Sequence, residues 1–456
     1  MSRKGNLHMT DAVDATNIPT PRRKPKPGIK SIGGRALKPS TLMMGHGYDP
    51  VLSEGSLKAP IFLTSTFAFE SAAAGKRHFE GITGLREGGA EGLVYSRFNG
   101  PNQEILEGRL AIWDGAEDAL AFSSGMTAIC ILLMAYASQN DVIVHSGPLY
   151  AASEGFVAKV LSRFGVTYID FPAGATRAEL DTVLAKAKAQ AEAQGGKVAM
   201  IYLESPANPT NALVDIEAVA AARDHALGGA QAADGGGTQE CPIAIDNTFL
   251  GPLWQRPLDH GADIVAYSLT KYVGGHSDLV AGSIAGAKRW MNPVRALRNT
   301  MGGIVDPNTA WMLMRSLETV ELRMQRAGEN AAKVCDFLKS HPKVEALGYL
   351  GLINDPRQQD IYDRHCLGAG STFSVFIKGG EAESFAFLDH LTIAKLAVSL
   401  GGTETLASHP ASMTHLSVPA ARKAMLGITD NLVRISVGIE DADDLIADFA
   451  QALEYV

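Results

Sequence analysis

The sequence predicts an α/β protein with a mostly parallel sheet covered by helices on both faces, followed by a smaller C-terminal α/β domain. Two observations carry this prediction. Short apolar runs rich in β-branched residues alternate with helical stretches in the middle of the chain, as expected of strands buried on both faces. A second, shorter set of strand and helix patterns follows a long helical stretch that begins near residue 307.

The predicted strands of the main sheet lie between residues 119 and 286 and are ALAFS, DVIVHS, VTYIDF, VAMIYLES, PIAIDNT, ADIVAYS and LVAGSIAG. EGFVAKVLSRFG and RAELDTVLAKAKAQAEAQ have apolar residues three or four positions apart, which is typical of helices. The uncharged run at 119–140 is long enough to suggest a membrane span. Ser123, Ser124 and Gly125 interrupt it, so we expect a strand, a turn and a buried helix, and no membrane protein.

Three segments are assigned along the chain: an N-terminal arm (1–60), a large domain (61–305) and a small domain (306–456). In the small domain we expect STFSVFIKG to be a strand and ADDLIADFAQALEYV to be the final helix. Residues 21–38 carry seven Lys or Arg and no acid, and no apolar signal segment follows them. We therefore expect 1–38 to be disordered or to drape over a partner subunit. The Gly/Ala-rich stretch 226–240 is predicted to be a surface loop.

The composition excludes several classes of protein. With 456 residues, 46% hydrophobic and 20% charged, the chain has a globular profile and is long enough for two domains. A net charge of −8 argues against a nucleic-acid partner, because binding phosphates requires a basic surface. Four cysteines without a CxxC pair predict reduced thiols in a cytoplasmic protein. His409 and His415 have no acidic third ligand nearby, and the sequence predicts no metal site.

Lys271 is the strongest candidate for chemistry. It follows an apolar strand in YSLTKYVGGHSD (267–278), among hydroxyl groups and glycines. Burial lowers the pKa of an amine, and Schiff-base chemistry requires the neutral form. Ser268 and Thr270 are candidate donors to a phosphate group. Tyr267 and Lys271 also match a Y-x-x-x-K dehydrogenase pattern, which is set aside because it requires a helix and a glycine-rich dinucleotide turn near the N-terminus.

Other polar residues follow predicted strands, where ligands bind in parallel sheets. Asp246 ends the strand in PIAIDNTF, and a buried acid is costly without a cationic partner such as a cofactor ring nitrogen. Gly125 and Met126 begin a helix, and amides at a helix N-terminus bind anions. Tyr150 follows the next strand and could stack on a planar ligand, with plain core packing as the alternative.

Asn208 and Arg434 are candidate ligand-binding residues. Asn208 lies in ESPANPT (204–210), after a strand, where its amide can reach oxygen atoms of a ligand. Arg434 lies among apolar residues in NLVRISVGIED. A guanidinium in such a strand suggests bidentate binding of a carboxylate, and a structural salt bridge is the alternative.

Eight motifs occur in order between about residue 40 and the C-terminus: YSRFNGPN, SSGM, PLY, ESPANPT, DNTF, YSLTKYVGGHSD, SLGGTETLASHPASMTH and LVRISVGIED. In these motifs the chain resembles the Cys/Met-metabolism family of pyridoxal-phosphate (PLP) enzymes, the trans-sulfuration group. That family includes methionine γ-lyase, cystathionine γ-lyase, cystathionine γ-synthase and O-acylhomoserine sulfhydrylases. The resemblance implies PLP fold type I, which is aspartate aminotransferase-like, and a homotetramer of two dimers that share active sites.

The resemblance also implies a role for each matching residue. Lys271 would hold the cofactor as a Schiff base and later move protons, and Asp246 would hold the pyridine nitrogen. Tyr150 would stack on the ring and act as acid or base at the leaving group. The cofactor phosphate would be bound by Gly125, Met126, Ser268 and Thr270, joined by Tyr95 and Arg97 of the partner subunit. The substrate carboxylate or the cofactor would be positioned by Asn208, Ser399 and Arg434.

The implied reaction is γ-elimination on a sulfur amino acid, as in methionine or cystathionine γ-lyase, with release of 2-oxobutyrate, ammonia and a thiol. The alternative in the family is γ-replacement on O-acetyl- or O-succinylhomoserine, and outside it a PLP aminotransferase. SHPASMTH resembles the methionine γ-lyase and sulfhydrylase branch, whereas SLGGTETL resembles the cystathionine enzymes. Ala151 and Ala152 follow Tyr150, where methionine γ-lyases usually carry a cysteine. The amino-acid substrate therefore stays open at this point.

Overall fold

The computed structural model describes residues 29–82, 85–87, 92–228 and 241–456. Residues 1–28 of the predicted arm and 229–240 of the predicted Gly/Ala-rich loop lie outside the described residues. The described part of the arm and the segment after it contain β1 (Ser31–Ile32), β2 (Arg35–Ala36), α1 (Pro39–Leu42), a 3₁₀ turn (Pro50–Ser53) and α2 (Ala72–Ile82).

The central part of the chain alternates strands and helices. Its elements are α3 (Pro101–Asp114), β3 (Asp118–Phe122), α4 (Gly125–Tyr136), β4 (Val142–Gly147), α5 (Ala151–Gly155), β5 (Thr167–Pro172), α6 (Arg177–Ala193), β6 (Val198–Glu204), α7 (Ile216–Leu227), β7 (Ile243–Asp246), α8 (Gly251–Trp254), β8 (Ile264–Ser268), β9 (Gly282–Gly286) and α9 (Lys288–Met301). EGFVAKVLSRFG is helical as predicted but irregular, because a π-helical segment and a 3₁₀ segment follow α5.

Among the described residues, seven of these strands form one sheet in the order β3-β9-β8-β7-β6-β4-β5. β4, β5, β6, β7 and β8 pair in parallel, which confirms the mostly parallel sheet. β9 is antiparallel to both β8 and β3. The segment 269–281 between β8 and β9 consists of turns and irregular backbone, and antiparallel neighbours need no crossover helix. This segment carries Lys271.

Both faces of the sheet are buried. Ile143 and Val144, neighbours on β4, belong to two different hydrophobic clusters, and so do Met200 and Ile201 on β6. Successive side chains of a strand point to opposite faces, so these pairs show a core on each side. Burial on both faces explains why polar and apolar residues do not alternate along these strands.

The C-terminal part forms a second sheet with its own core. Its elements are α10 (Pro307–Leu317), α11 (Val320–Leu338), β10 (Val344–Gly348), α12 (Pro356–His365), β11 (Thr372–Ile377), α13 (Glu381–Asp389), β12 (Lys395–Leu396), β13 (Leu406–Ser408), α14 (Ala420–Met425), β14 (Leu432–Ser436) and α15 (Ala442–Leu453). The sheet order is β10-β11-β14-β13-β12. Buried side chains of α10 join a cluster of the large sheet, and the predicted domain boundary near 305 stays a prediction.

The long helix expected from about residue 307 is two helices, because the chain turns at Glu318 and Thr319 between α10 and α11. The guanidinium of Arg323 satisfies the carbonyl of Ser316 at the end of α10, at 3.0 Å. It also donates to the carbonyl of Tyr272 at 2.8 Å. These two hydrogen bonds connect the start of α11 with the end of α10 and with the segment 269–281.

In the described part of the chain, no helix is both long enough and apolar enough to span a membrane. The uncharged run at 119–140 is divided between β3 and α4, as predicted. Ser124 ends the turn between them, and its hydroxyl caps α4 by accepting the N–H of Thr127 at 3.0 Å.

Candidate active site

A cavity of about 320 Å³ opens at the carboxyl ends of β6, β7 and β8, with its other wall formed by the C-terminal part of the chain. This is the position at which ligands bind in open α/β sheets. Among the residues predicted from the sequence, those that line the cavity are Gly125, Met126, Tyr150, Asn208, Asp246, Ser268, Thr270, Lys271, Ser399 and Arg434. Tyr95 and Arg97 are not part of its lining.

Lys271 lies at the centre of the cavity wall with its amine hydrogen-bonded. Its Nζ donates to the hydroxyl of Ser399 at 2.7 Å. Burial and, to a smaller extent, the positive charge of Arg434 lower the pKa of Lys271 to about 8, and Asp246 acts in the opposite direction. A neutral amine is therefore accessible near physiological pH, as Schiff-base chemistry requires.

Ser399 has an unusual backbone conformation beside this amine. Its φ is +95°, in the region that residues with a Cβ rarely adopt. Arg434 donates from Nη2 to the Ser399 carbonyl at 2.7 Å. The two hydrogen bonds, one to the hydroxyl and one to the carbonyl, hold Ser399 between the lysine and the arginine.

Asp246 and Glu204 place two buried carboxyl groups side by side. They end β7 and β6 and are direct partners in the register of the two strands. Burial raises the pKa of both groups, and the charge of Asp246 helps to raise the pKa of Glu204 to about 8. Two acids in one low-dielectric site are stabilised by a cation, and a protonated ring nitrogen is a suitable one.

Glu204 lines the cavity but was not predicted as a site residue. Its carboxylate accepts the N–H of Tyr150 at 2.6 Å and the N–H of Asn208 at 2.9 Å. The signal was present in the sequence, since VAMIYLES ends an apolar strand in an acid just as PIAIDNTF does.

Arg434 is almost completely buried in the cavity wall. Its Nη1 donates to the side-chain oxygen of Asn208 at 3.2 Å, and its Nε has no hydrogen-bond partner among the described residues. No carboxylate of the described residues pairs with it, so the alternative of a structural salt bridge is not supported. Burial lowers the pKa of Arg434 to about 10, which leaves the guanidinium charged near neutral pH. Its buried Nε–H therefore has no acceptor in the described part of the chain, in a residue that lines the cavity.

The N-terminus of α4 forms the other end of the cavity. Gly125 approaches β8 so closely that a Cβ there would lie 2.9 Å from the Cβ of Ser268. Glycine is therefore required at this position, and the amides of Gly125 and Met126 border the cavity at a helix N-terminus. The hydroxyl of Thr270 already contacts the backbone of Ala281 at 3.1–3.2 Å, so its predicted phosphate contact stays a prediction.

The residues present fit PLP. The cavity has a lysine amine for an aldehyde, a buried acid in need of a cationic partner and a helix N-terminus for a phosphate. Tyr150 offers a 39%-exposed ring in the same wall, where a planar ligand can stack on it.

Tyr95 and Arg97 lie outside this cavity, which is compatible with their assignment to a site in another subunit. The Tyr95 side chain is 41% exposed. Arg97 stacks 4.7 Å from the centre of the Phe98 ring and donates from Nη1 to the carbonyl of Asn299. Their role at a partner's phosphate stays a prediction.

The two histidines of SHPASMTH have protein partners. His409 contacts the hydroxyl of Ser412 at 2.8 Å and the carbonyl of Asp430 at 2.7 Å. His415 contacts the hydroxyl of Thr414 at 2.9 Å.

A separate cluster unites Glu217, His260 and His365, whose ligating atoms lie within 4.8 Å of one another. Arg364 contacts two members of this cluster. Its Nη1 lies 3.1 Å from His365 Nε2 and donates to Glu217 at 2.6 Å.

Tyr267, the tyrosine of the Y-x-x-x-K pattern, is buried in β8, and its hydroxyl donates to Asp114 at 2.6 Å. The pattern lies on a strand and the turn after it, rather than on a helix, so the dehydrogenase alternative is not supported.

Comparison with known proteins identifies the family. A model of the family described as Cys/Met metabolism PLP-dependent enzyme matches residues 40–454. The chain is 37% identical to an L-methionine γ-lyase of Treponema denticola over 405 residues, which cover 88% of this chain and 93% of that protein. It is 35% identical to a cystathionine γ-lyase of Bacillus subtilis over 423 residues, which cover 92% of this chain and 100% of that protein.

Solved structures give the same result. A cystathionine γ-synthase from Xanthomonas oryzae pv. oryzae, in complex with cystathionine, is 30% identical with a TM-score of 0.79, covering 92% of this chain and 98% of that one. The metB structure from Corynebacterium glutamicum is 32% identical with a TM-score of 0.78 and the same coverage. The predicted PLP fold type I is thereby confirmed. The chain belongs to the Cys/Met-metabolism family of PLP-dependent enzymes.

Proposed function

We propose that this PLP enzyme catalyses γ-elimination on a sulfur-containing amino acid and releases 2-oxobutyrate, ammonia and a thiol. The observation that carries the proposal is that Lys271, Asp246 and Arg434 line one cavity, and that the buried guanidinium of Arg434 has no carboxylate partner among the described residues. The similarity to methionine γ-lyases and a cystathionine γ-lyase, at 35–37% identity, supports this reaction type.

The residues of the cavity have different roles in the proposed reaction. When bound, PLP supplies a ring that withdraws electrons from the carbon atoms of the amino acid. Lys271 accepts the proton from the substrate Cα, because its lowered pKa provides the neutral amine. Tyr150 donates a proton to the departing sulfur, and Arg434 binds the substrate carboxylate. Asp246 stabilises a positive charge on the ring nitrogen.

The cofactor phosphate is assigned to the end of the cavity at α4. Its donors in this chain are Gly125, Met126, Ser268 and Thr270, which all line the cavity. Amides at a helix N-terminus point towards an anion there, and the helix dipole favours negative charge. Asn208 and Ser399 position the cofactor or the substrate carboxylate through their contacts with Arg434 and Lys271.

We further propose a homotetramer of two dimers, in which Tyr95 and Arg97 complete the phosphate site of the partner subunit. Exposed apolar side chains precede them in an irregular segment that includes Ile61, Leu63 and Phe69. Such a surface is stabilised by burial against a second copy of the chain. The four cysteines are free thiols, which supports a cytoplasmic location.

γ-Replacement on an O-acylhomoserine is the second candidate. Similar solved structures include a cystathionine γ-synthase, and the match covers 98% of its chain. In this reaction an incoming thiol, rather than water, resolves the activated substrate.

The experiment that separates the two measures 2-oxobutyrate release from L-methionine, L-cystathionine and O-acetyl- or O-succinylhomoserine, each with and without an added thiol. Keto acid from a thioether without added thiol is the expected result. An acylhomoserine consumed only when thiol is present, with no keto acid from the thioethers, would assign γ-replacement instead. Conversion of the bound cofactor to pyridoxamine phosphate with release of a keto acid would identify an aminotransferase.

A further inference from the structure

We infer that Glu204 is a positioning residue that fixes Tyr150 relative to Asn208 and so aligns the leaving-group end of the cavity with its carboxylate-binding end. The inference rests on the proposed function in so far as Tyr150 acts on the leaving group and Arg434 binds the substrate carboxylate. Glu204 itself need not touch the substrate.

The carboxylate of Glu204 links two loops. Tyr150 follows β4 and Asn208 follows β6, and these strands are parallel neighbours. One oxygen accepts the Tyr150 N–H at 2.6 Å and the other accepts the Asn208 N–H at 2.9 Å. Both bonds are made to the backbone, so the carboxylate sets the position of each whole residue rather than of one side-chain tip.

The network continues from Asn208 to the lysine. The Asn208 side-chain oxygen accepts from Arg434 at 3.2 Å, and Arg434 donates to the Ser399 carbonyl at 2.7 Å. The Ser399 hydroxyl accepts from Lys271 at 2.7 Å. Residues joined by successive hydrogen bonds therefore connect the backbone of Tyr150 with the amine of Lys271. Glu204 is the carboxylate that joins Tyr150 to Asn208 in this network.

The chemical type of the residue is important because both of its oxygens act as acceptors. A glutamine of the same shape would direct an NH₂ group at one of the two N–H donors, so one bond would be lost. Glu204 is 4% exposed beside Asp246, and burying a second acid there is costly. Hydrogen bonds from the two amides stabilise the ionised form, and a cation beside Asp246 would remove the like charge that helps to raise the pKa of Glu204.

The test compares Glu204→Gln and Glu204→Asp with a matched control in the holoenzyme. Aspartate keeps the charge but is one methylene shorter, so it cannot reach both amides. The control is Asp448→Asn, because Asp448 is a buried carboxylate on α15 that accepts the N–H groups of Thr392, Ile393 and Ala394 at 2.8–3.0 Å, outside the cavity lining. It reports the general cost of losing such a carboxylate.

Three quantities are measured: kcat and KM with the best substrate of the panel, the Kd of glycine from the absorbance of the bound cofactor, and Tm. Both Glu204 variants are expected to lose on the order of 10²-fold in kcat, since small displacements of reacting groups have effects of this size. They are expected to bind glycine roughly tenfold more weakly, because Asn208 no longer holds Arg434 in place. Asp448→Asn is expected to lower Tm while kcat stays within about twofold of the wild type.

A double-mutant cycle tests whether Glu204 acts through Tyr150. In a Tyr150→Phe background, Glu204→Gln is expected to lower kcat by less than about tenfold, because the group that it positions has lost its hydroxyl. Equal factors in both backgrounds would overturn the inference, as would wild-type kcat and glycine affinity in a folded Glu204 variant or an equal kcat loss in Asp448→Asn. Absence of 2-oxobutyrate from the wild type would count against the proposed function alone, because glycine binding still reports on Glu204.

Discussion

At Lys271 the surroundings decide the protonation state of the amine. Burial and the charge of Arg434 lower its pKa to about 8, and Asp246 offsets part of this effect. At pH 7.5 roughly a quarter of such amines are neutral, whereas a lysine with an ordinary pKa is almost entirely cationic. The surroundings therefore provide a partly neutral Lys271 amine before the cofactor binds.

We predict that the apoenzyme captures PLP covalently faster as the pH rises, with the half-maximal rate near pH 8. Only the neutral amine attacks the aldehyde, and the lowered pKa places its titration there. The measurement is the rate of the absorbance change on mixing with PLP, between about pH 6 and about pH 10. A rate that keeps rising in proportion to hydroxide up to about pH 10 would show an ordinary amine instead.

We predict that Arg434→Lys raises KM on the order of 10²-fold while PLP stays bound. A lysine cannot donate to Asn208 and Ser399 and still offer a further N–H to a carboxylate in the same fork geometry. The measurement is KM and kcat in parallel with the absorbance of the bound cofactor.

Arg364→Lys is the matched control for this variant, because Arg364 pairs with Asp215 at 2.7 Å outside the cavity. It is expected to leave KM unchanged. A similar rise of KM in both variants would mean that Arg434 acts only through the stability of the fold.

The sequence predicted some residues of the candidate site and not others. Asp246 was predicted because an acid ends an apolar strand, and Glu204 shows the same pattern but was passed over. What the sequence could not show is that β6 and β7 are neighbours in register, which places the two acids side by side. That pairing, and with it the raised pKa of both acids, depends on the order of strands in the sheet.

At the scale of elements, the turn between β3 and α4 combines a helix N-terminus at the cavity with a close approach to β8. We predict that Gly125→Ala raises the Kd of PLP at least tenfold. The added Cβ would lie 2.9 Å from the Cβ of Ser268 and 3.1 Å from its Cα, so the turn proposed to bind the phosphate must move. The measurement is PLP titration of the apoenzyme.

Gly108→Ala in α3 is the control for this prediction, because its nearest neighbour would lie 3.7 Å away, an ordinary contact. Alanine is also the better helix former, so stability should stay the same or rise. Unchanged PLP affinity in Gly125→Ala would show that the cofactor phosphate binds elsewhere.

The pattern of elements was predicted well where hydrophobic periodicity decides it. The apolar runs became the strands of the large sheet, because burial on both faces leaves a clear signal. The break between α10 and α11 was missed because apolar spacing continues across it. Near this break Arg323 donates to the carbonyls of Tyr272 and Val273, and such contacts between segments distant in sequence leave no signal in the apolar spacing. The antiparallel direction of β9 was missed for a similar reason, because strand direction depends on the path of 269–281.

At the scale of the whole molecule, the proposed dimer makes each active site depend on two chains. Lys271 belongs to one chain, and Arg97 lies outside that chain's own cavity. We predict that Lys271→Ala and Arg97→Ala proteins, each inactive alone at low PLP concentration, regain activity when their subunits are mixed. A hybrid dimer has one site with both residues intact, so about a quarter of all sites recover after random exchange.

The measurement is kcat per active site after co-refolding of equal amounts, with each variant refolded alone as the control. Recovery of activity requires that the two residues meet across the interface. If hybrids of confirmed composition recover no activity, Arg97 and Lys271 belong to the active site of the same chain, or Arg97 belongs to no active site.

If the proposed PLP-dependent elimination takes place at Lys271, the Lys271→Ala variant cannot carry it out. Ammonia and 2-oxobutyrate are measured from the best substrate, together with the absorbance of the purified protein and its Tm. Lys188→Ala, an exposed change on α6 away from the cavity, serves as the control. We predict a folded Lys271→Ala protein with no covalently bound PLP and no detectable keto acid, and a fully active control. Turnover at the wild-type rate in Lys271→Ala would contradict this prediction.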